Sequence, residues 1–128
     1  MSNVGSWKIF PAVSVSAGAT QTYPTGKGVP IQNAEGYFAL QVTATMGATA
    51  AATTGYVDYQ YLVSLDNTNF MVPTGGGTIA TGHYVTGGPG TDGMSYFSFS
   101  PETTQWIKIR AINRATDAIV TTVHLGVK

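Results

Sequence analysis

The chain has 128 residues, six basic and six acidic side chains and no cysteine, with 43% hydrophobic and only 9% charged residues. The balanced charge leaves no net field for nucleic acid or anionic lipid, and the missing thiols exclude a disulfide framework and any thiolate metal site. A charged fraction far below the usual ~25% leaves the surface to Thr, Ser, Gln, Asn and glycine backbone, with little repulsion to keep copies of the chain apart.

The first residues, Met-Ser-Asn-Val-Gly-Ser-Trp-Lys, contain no basic region followed by an apolar stretch, so export by a signal peptide is not expected. No apolar run reaches membrane-spanning length either. Residues 7–16 alternate, with Trp7, Ile9, Val13 and Val15 on one side, the period of a half-buried strand. Pro11 removes a ladder donor and predicts an edge strand or a kink there. A loop rich in Gly, Thr and Pro follows, then a short extended piece at Val29, Pro30 and Ile31 and a turn at Asn33-Ala34-Glu35-Gly36.

Residues 37–46 read as a strand with Phe38, Leu40, Val42 and Ala44 inward and Gln41, Thr43 and Thr45 outward. The Ala/Thr stretch after Gly47 has no large apolar face and is read as a loop. Residues 56–65 form the most apolar strand: Val57, Tyr59, Tyr61, Val63 and Leu65 on one face, Tyr56 and Leu62 on the other. Large residues on both faces predict a central strand, or one whose outer face meets a partner.

Asp66-Asn67-Thr68-Asn69 reads as a hairpin turn, with Phe70 and Val72 in a return strand. After Gly75-Gly76-Gly77 a strand is expected at residues 78–85, then a glycine-rich loop through Gly93. The last third gives three period-two runs: Phe97 and Phe99; Ile107, Ile109 and Ala111; and Ile119, Val123, Leu125 and Val127. They predict an antiparallel meander with one buried side. About eight strands without a convincing helix predict one all-β domain over residues 1–128, an antiparallel two-sheet β-sandwich.

Catalytic and metal chemistry find little support in this pattern. His83 and His124 fall in different strands without a nearby acid at ligand spacing, and the acids Glu35, Asp58, Asp66, Asp92, Glu102 and Asp117 are scattered singly. No Gly-x-Ser-x-Gly elbow is present, and the glycine-rich loops lack the Lys-Ser/Thr and helix that a phosphate cradle needs. Asp66-x-Thr68-Asn69 lacks the later ligands of a calcium loop. No enzyme activity and no cofactor are expected.

The outward face of the strand from residue 106 carries Trp106, Lys108, Arg110 and Ile112 between the buried Ile107, Ile109 and Ala111. An aromatic, two cations and an aliphatic in one stripe suit a protein–protein contact, with Tyr56 as a further candidate. The competing reading is a carbohydrate-binding or adhesin module presenting Tyr84, Tyr96 and the loop at residues 86–93.

The segment Ser100-Pro101-Glu102-Thr103-Thr104-Gln105-Trp106 through Asn113 resembles the F strand of fibronectin type III and related immunoglobulin-like domains. Tyr59-x-Tyr61-x-Val63-Ser64-Leu65-Asp66 resembles a C strand entering its hairpin. Trp106 stands where that family has its corner tyrosine, which keeps a jelly roll open as the alternative connectivity. The chain as a whole, with its Gly/Thr/Ala-rich loops, Ser-Leu-Asp-Asn-Thr-Asn-Phe hairpin and few charges, resembles the small β-sandwich virion proteins of tailed bacteriophages, of the head decoration or accessory type. That resemblance implies a structural subunit assembled in the host cytoplasm and carried on the virion. It implies many copies packed as a homo-oligomer against a major capsid protein or another virion protein, with no nucleic acid or membrane partner.

Overall fold

The computed structural model describes residues 5–32, 34–46, 54–86, 93–101 and 104–128. Among them, nine strands and no helix occur: β1 (Gly5–Val15), β2 (Thr20–Tyr23), β3 (Val29–Pro30), β4 (Phe38–Met46), β5 (Thr54–Ser64), β6 (Thr78–Thr86), β7 (Gly93–Phe99), β8 (Trp106–Asn113) and β9 (Ile119–Val127). The expected loops at residues 47–53 and 87–92 lie outside the described residues, as do Asn33, Glu102 and Thr103.

Strict alternation decides which face each strand buries. In β4 Phe38, Leu40, Val42, Ala44 and Met46 are buried; in β9 Ile119, Thr121, Val123, Leu125 and Val127; in β8 Ile107, Ile109, Ala111 and Asn113. One sheet has the order β1-β9-β4-β7 and the other β2-β8-β5-β6, with β3 pairing β8 beyond β2. Every pairing is antiparallel. The two inner faces meet in one core, where Tyr59, Phe10, Leu40, Met46, Ile107, Ile109, Ile119 and Leu125 are the largest fully buried side chains. Each such side chain contributes on the order of 1.5–3 kcal/mol on leaving water.

The two-sheet antiparallel sandwich expected from the pattern is therefore what forms, and of the two connectivities left open the strand order is the jelly roll's. Apart from the paired β5 and β6, and β2 and β3 which share β8, every described strand passes to the opposite sheet from its predecessor. In an immunoglobulin-like domain the last two strands, F and G, are neighbours in one sheet. Here β8 and β9 lie in different sheets.

The meander expected over the last third is thereby corrected. β7 pairs β4 at the edge of one sheet, β9 lies between β1 and β4 in that sheet, and β8 lies in the other. Alternation reveals which side chains face inward and carries no information about which strand lies alongside.

β1 is an edge strand kinked at Pro11, as expected. Its register against β9 shifts between Lys8 and Phe10 and again between Phe10 and Val13, where Ala12 has φ 55°. The extra residues rotate Phe10, out of phase in the sequence, fully into the core beside Ile9.

The Asp66 turn forms as expected, with Asn67 at φ 58°. Its return strand does not. Met71 keeps only an isolated bridge with Val63 before Pro73, which has no amide to donate. The chain regains β5 at Gly77, whose carbonyl accepts the Tyr61 N–H at 2.8 Å, and β6 pairs β5 from there. A Cβ on Gly77 would collide with the Tyr61 carbonyl oxygen, so this close approach requires glycine.

Candidate functional site

The outer face of the β2-β8-β5-β6 sheet carries the stripe. Because β8 is central and its inward positions are filled by Ile107, Ile109 and Ala111, Trp106, Lys108, Arg110 and Ile112 face out, each half-buried among neighbours. Register sets those neighbours: Trp106 lies between Ser64 and Pro30, Lys108 beside Leu62, Arg110 between Gln60 and Thr22, Ile112 between Asp58 and Thr20. Trp106 and Ile112 stand at opposite ends of β8, about 20 Å apart at ~3.3 Å per residue.

Both cations of the stripe already have partners within the molecule. Lys108 Nζ sits 4.5 Å from the centroid of the Phe70 ring. Arg110 donates through Nε to Gln60 Oε1 at 3.1 Å and through Nη2 to the same oxygen. Phe70 reaches Lys108 because the chain after Asp66 folds back over this face. Asn67 Oδ1 accepts the Gly28 N–H at 2.8 Å, and the Phe70 ring lies 2.6 Å from where a Cβ on Gly28 would be. The stripe thus presents the indole, Ile112 and the Leu62 side chain, with the cations as braced polar elements between them. Reading residue 70 as part of a regular strand concealed this role.

Tyr56, the fifth candidate, lies on β5 beyond the Ile112 end of the stripe. It is 48% exposed, packs edge-on to Tyr84 with ring centroids 5.7 Å apart, and its carbonyl accepts the Arg114 N–H. Arg114 in turn donates through Nε to Asp58 Oδ2 at 2.9 Å, while Asp58 Oδ1 accepts the Gly82 N–H at 2.7 Å. Asp58 is therefore a clasp between the β6 bulge and the β8–β9 loop. The sequence contains no signal for that role beyond an acid inside an apolar strand.

The opposite outer face belongs to the β1-β9-β4-β7 sheet. Here Ala39 on β4 is flanked by Ser98 on β7 and Gly126 on β9, and Gly126 by Ser6 on β1. The small residues Ala39, Ser98 and Gly126 on three adjacent strands floor an open depression of ≈ 380 Å³, rimmed by Tyr37, Tyr96 and Lys128. Tyr84 and Tyr96, drawn together in the carbohydrate-binding reading, stand on opposite outer faces. Tyr84 keeps company with Tyr56, and Tyr96 with Tyr37.

His124 is half-buried on this face opposite Gln41 and Lys8, as its alternation required. His83 points inward between the Tyr59 and Phe97 rings, each centroid 5.8 Å away. Among the described residues no three His, Asp or Glu side chains gather as a metal-ligand set. The backbone N–H groups of Asn69 and Thr68, with the Asn69 amide and the Ser64 hydroxyl, hold the Asp66 carboxyl well below the usual carboxylate range. Its oxygens are used within its own turn, the behaviour of an Asx-turn residue.

No family model matches the chain, and no curated protein matches it in sequence. Among solved structures it is similar to VP2 of the infectious bursal disease virus subviral particle, with TM-score 0.64 and 16% identity, covering 98% of this chain and 32% of VP2. It is also similar to the CBM22-1 xylan-binding domain of Paenibacillus barcinonensis Xyn10C, with TM-score 0.54 and 6% identity, covering 98% of this chain and 94% of that domain. A third likeness is to the PBSX exported protein XepA, with TM-score 0.53 and 10% identity, covering 96% of this chain and 36% of XepA. The chain spans about a third of the VP2 length. At these identities the shared feature is the fold, which hosts both a viral capsid protein and a carbohydrate-binding module.

Proposed function

We propose that this chain is a non-enzymatic virion subunit of a tailed bacteriophage, a capsid decoration or stabilising protein packed in many copies against a major capsid protein. The observation that carries the reading is the pairing of a jelly-roll order, shared in architecture with VP2 over 98% of the chain, with an exterior in a chain of only 9% charged residues. Such an exterior tolerates close apposition of copies, and the Trp106–Ile112 stripe with Tyr56 offers aromatic and aliphatic anchors between braced cations. Each bound copy would bury surface across a joint between capsid subunits and so raise the free energy needed to separate them. The experiment is a Trp106→Asp variant added to particles stripped of the native chain. Loss of binding by the folded variant supports the stripe as the contact, and normal decoration removes it.

A second reading, a neutral-carbohydrate-binding module, is favoured by one observation: the depression between the exposed Tyr37 and Tyr96 on the other face. The likeness in fold to a xylan-binding domain is compatible with it. Affinity of the isolated chain for a neutral polysaccharide tests it directly.

A further inference from the structure

We propose that the outer face of the β1-β9-β4-β7 sheet holds a saccharide subsite in which Tyr37 and Tyr96 flank a pyranose ring seated over Ala39, Ser98 and Gly126. The site rests on the second reading above and gives that reading a place on the molecule. Both tyrosines are 68% exposed, and among the described residues no other ring packs on either. Their rigid rings are thus available at little entropic cost, each with an apolar face and a hydroxyl at its tip.

The floor is shaped by register. Ser98 and Gly126 flank Ala39 on the neighbouring strands, so nothing taller than a hydroxymethyl group rises across three strands between the two rings. A pyranose has the matching form: a flat C–H face that packs on a phenol ring and hydroxyls around its edge. Ser98 and Lys128 bring polar groups to the floor and rim. With no Asp or Glu side chain and a single lysine among the lining residues, the lining favours neither a metal cation nor a multiply charged anion. The depression of ≈ 380 Å³ falls within the range of about 300–1,000 Å³ typical of small-ligand sites. An extended peptide is the poorer occupant. It would seek unpaired backbone at a strand edge, whereas this floor is the face of a paired sheet.

The test is electrophoresis of the full chain through native gels containing soluble xylan, hydroxyethylcellulose, galactomannan or dextran. The wild type is expected to be retarded by at least one, with Tyr37→Ala and Tyr96→Ala each weakening the interaction about tenfold. Tyr84→Ala, on the opposite face, should leave it unchanged. Free migration of the wild type in all four gels overturns the carbohydrate-binding reading together with the site. Retardation that survives both the Tyr37 and Tyr96 variants leaves the reading standing and overturns the site. Self-association abolished by Tyr96→Ala, without retardation in any gel, assigns the face to a second copy of the chain and likewise overturns the proposal.

Discussion

The Tyr59 hydroxyl of one sheet meets Thr121 Oγ1 of the other at 2.8 Å, the two residues being fully buried. Thr121 Oγ1 also donates to the Thr43 carbonyl at 3.0 Å, which uses its only proton. Tyr59 is therefore the donor, and the chain Tyr59–Thr121–Thr43 ties β5 to β9 and β4 through the core. Thr121→Val removes the acceptor and leaves a buried phenol unpaired, so it is expected to cost about 1–3 kcal/mol. Tyr59→Phe, which removes the donor and keeps the ring, should cost about 1 kcal/mol. The double variant should cost less than the sum, measured by urea unfolding.

Burial pushes the Tyr59 phenol up to about 12, against a smaller opposing effect of its bond with Thr121. An unfolded tyrosine loses its proton near 10.0, so between that pH and about 12 the unfolded state binds fewer protons than the folded one. Stability from this group is fully present below pH 10 and falls as pH rises, by about 2–3 kcal/mol at pH 12. Urea midpoints between pH 9 and 12 should fall more steeply for the wild type than for Tyr59→Phe. Parallel slopes would remove Tyr59 as the cause.

Asn113 is buried at the end of β8, its two amide hydrogens shared among the carbonyls of Val15, Ser16 and Asp117 and its Oδ1 accepting the Ala115 N–H. One side chain thus closes two loops at the same end of the sandwich. Asn113→Ala is expected to destabilise by about 2–3 kcal/mol, and Asn113→Asp by more, because a carboxylate would face three carbonyl oxygens. Thermal unfolding checks both.

Gly77→Ala should destabilise by about 1–3 kcal/mol, because its Cβ would meet the Tyr61 carbonyl oxygen and lift the chain off β5 at the start of β6. Hydrogen exchange should show faster loss of protection at the Tyr61 amide than at Ile109, which β5 and β8 share independently of this contact. Equal loss at both would place the damage elsewhere.

Most inward positions were legible, since Leu40, Val42, Ile107, Ile109, Val123 and Leu125 sit where period two put them, whereas Leu65, read on the same face as Val57, Tyr59 and Tyr61, lies past the end of β5 and is exposed. Partnership was not. β8 and β9 have the same pattern whether they pair with each other or part to opposite sheets, and only the packing of whole sheets decides between those outcomes. Phe10 was out of phase because a bulge is one residue of shift without a compositional mark beyond Pro11. Of the site, the β8 stripe was legible from alternation alone. Phe70 over Lys108 and the grouping of Tyr37 with Tyr96 depend on contacts across the chain, which no local spacing encodes.

The most direct measurement of the proposed role is a reconstruction of the virus particle proposed to carry this chain, with the subunit count taken from the same preparation. The expected map contains this jelly roll in many symmetry-related copies, with Trp106 and Ile112 against a neighbouring capsid subunit. Particles that lack the chain, or that display it with the Trp106 face open to solvent in every copy, would contradict the account.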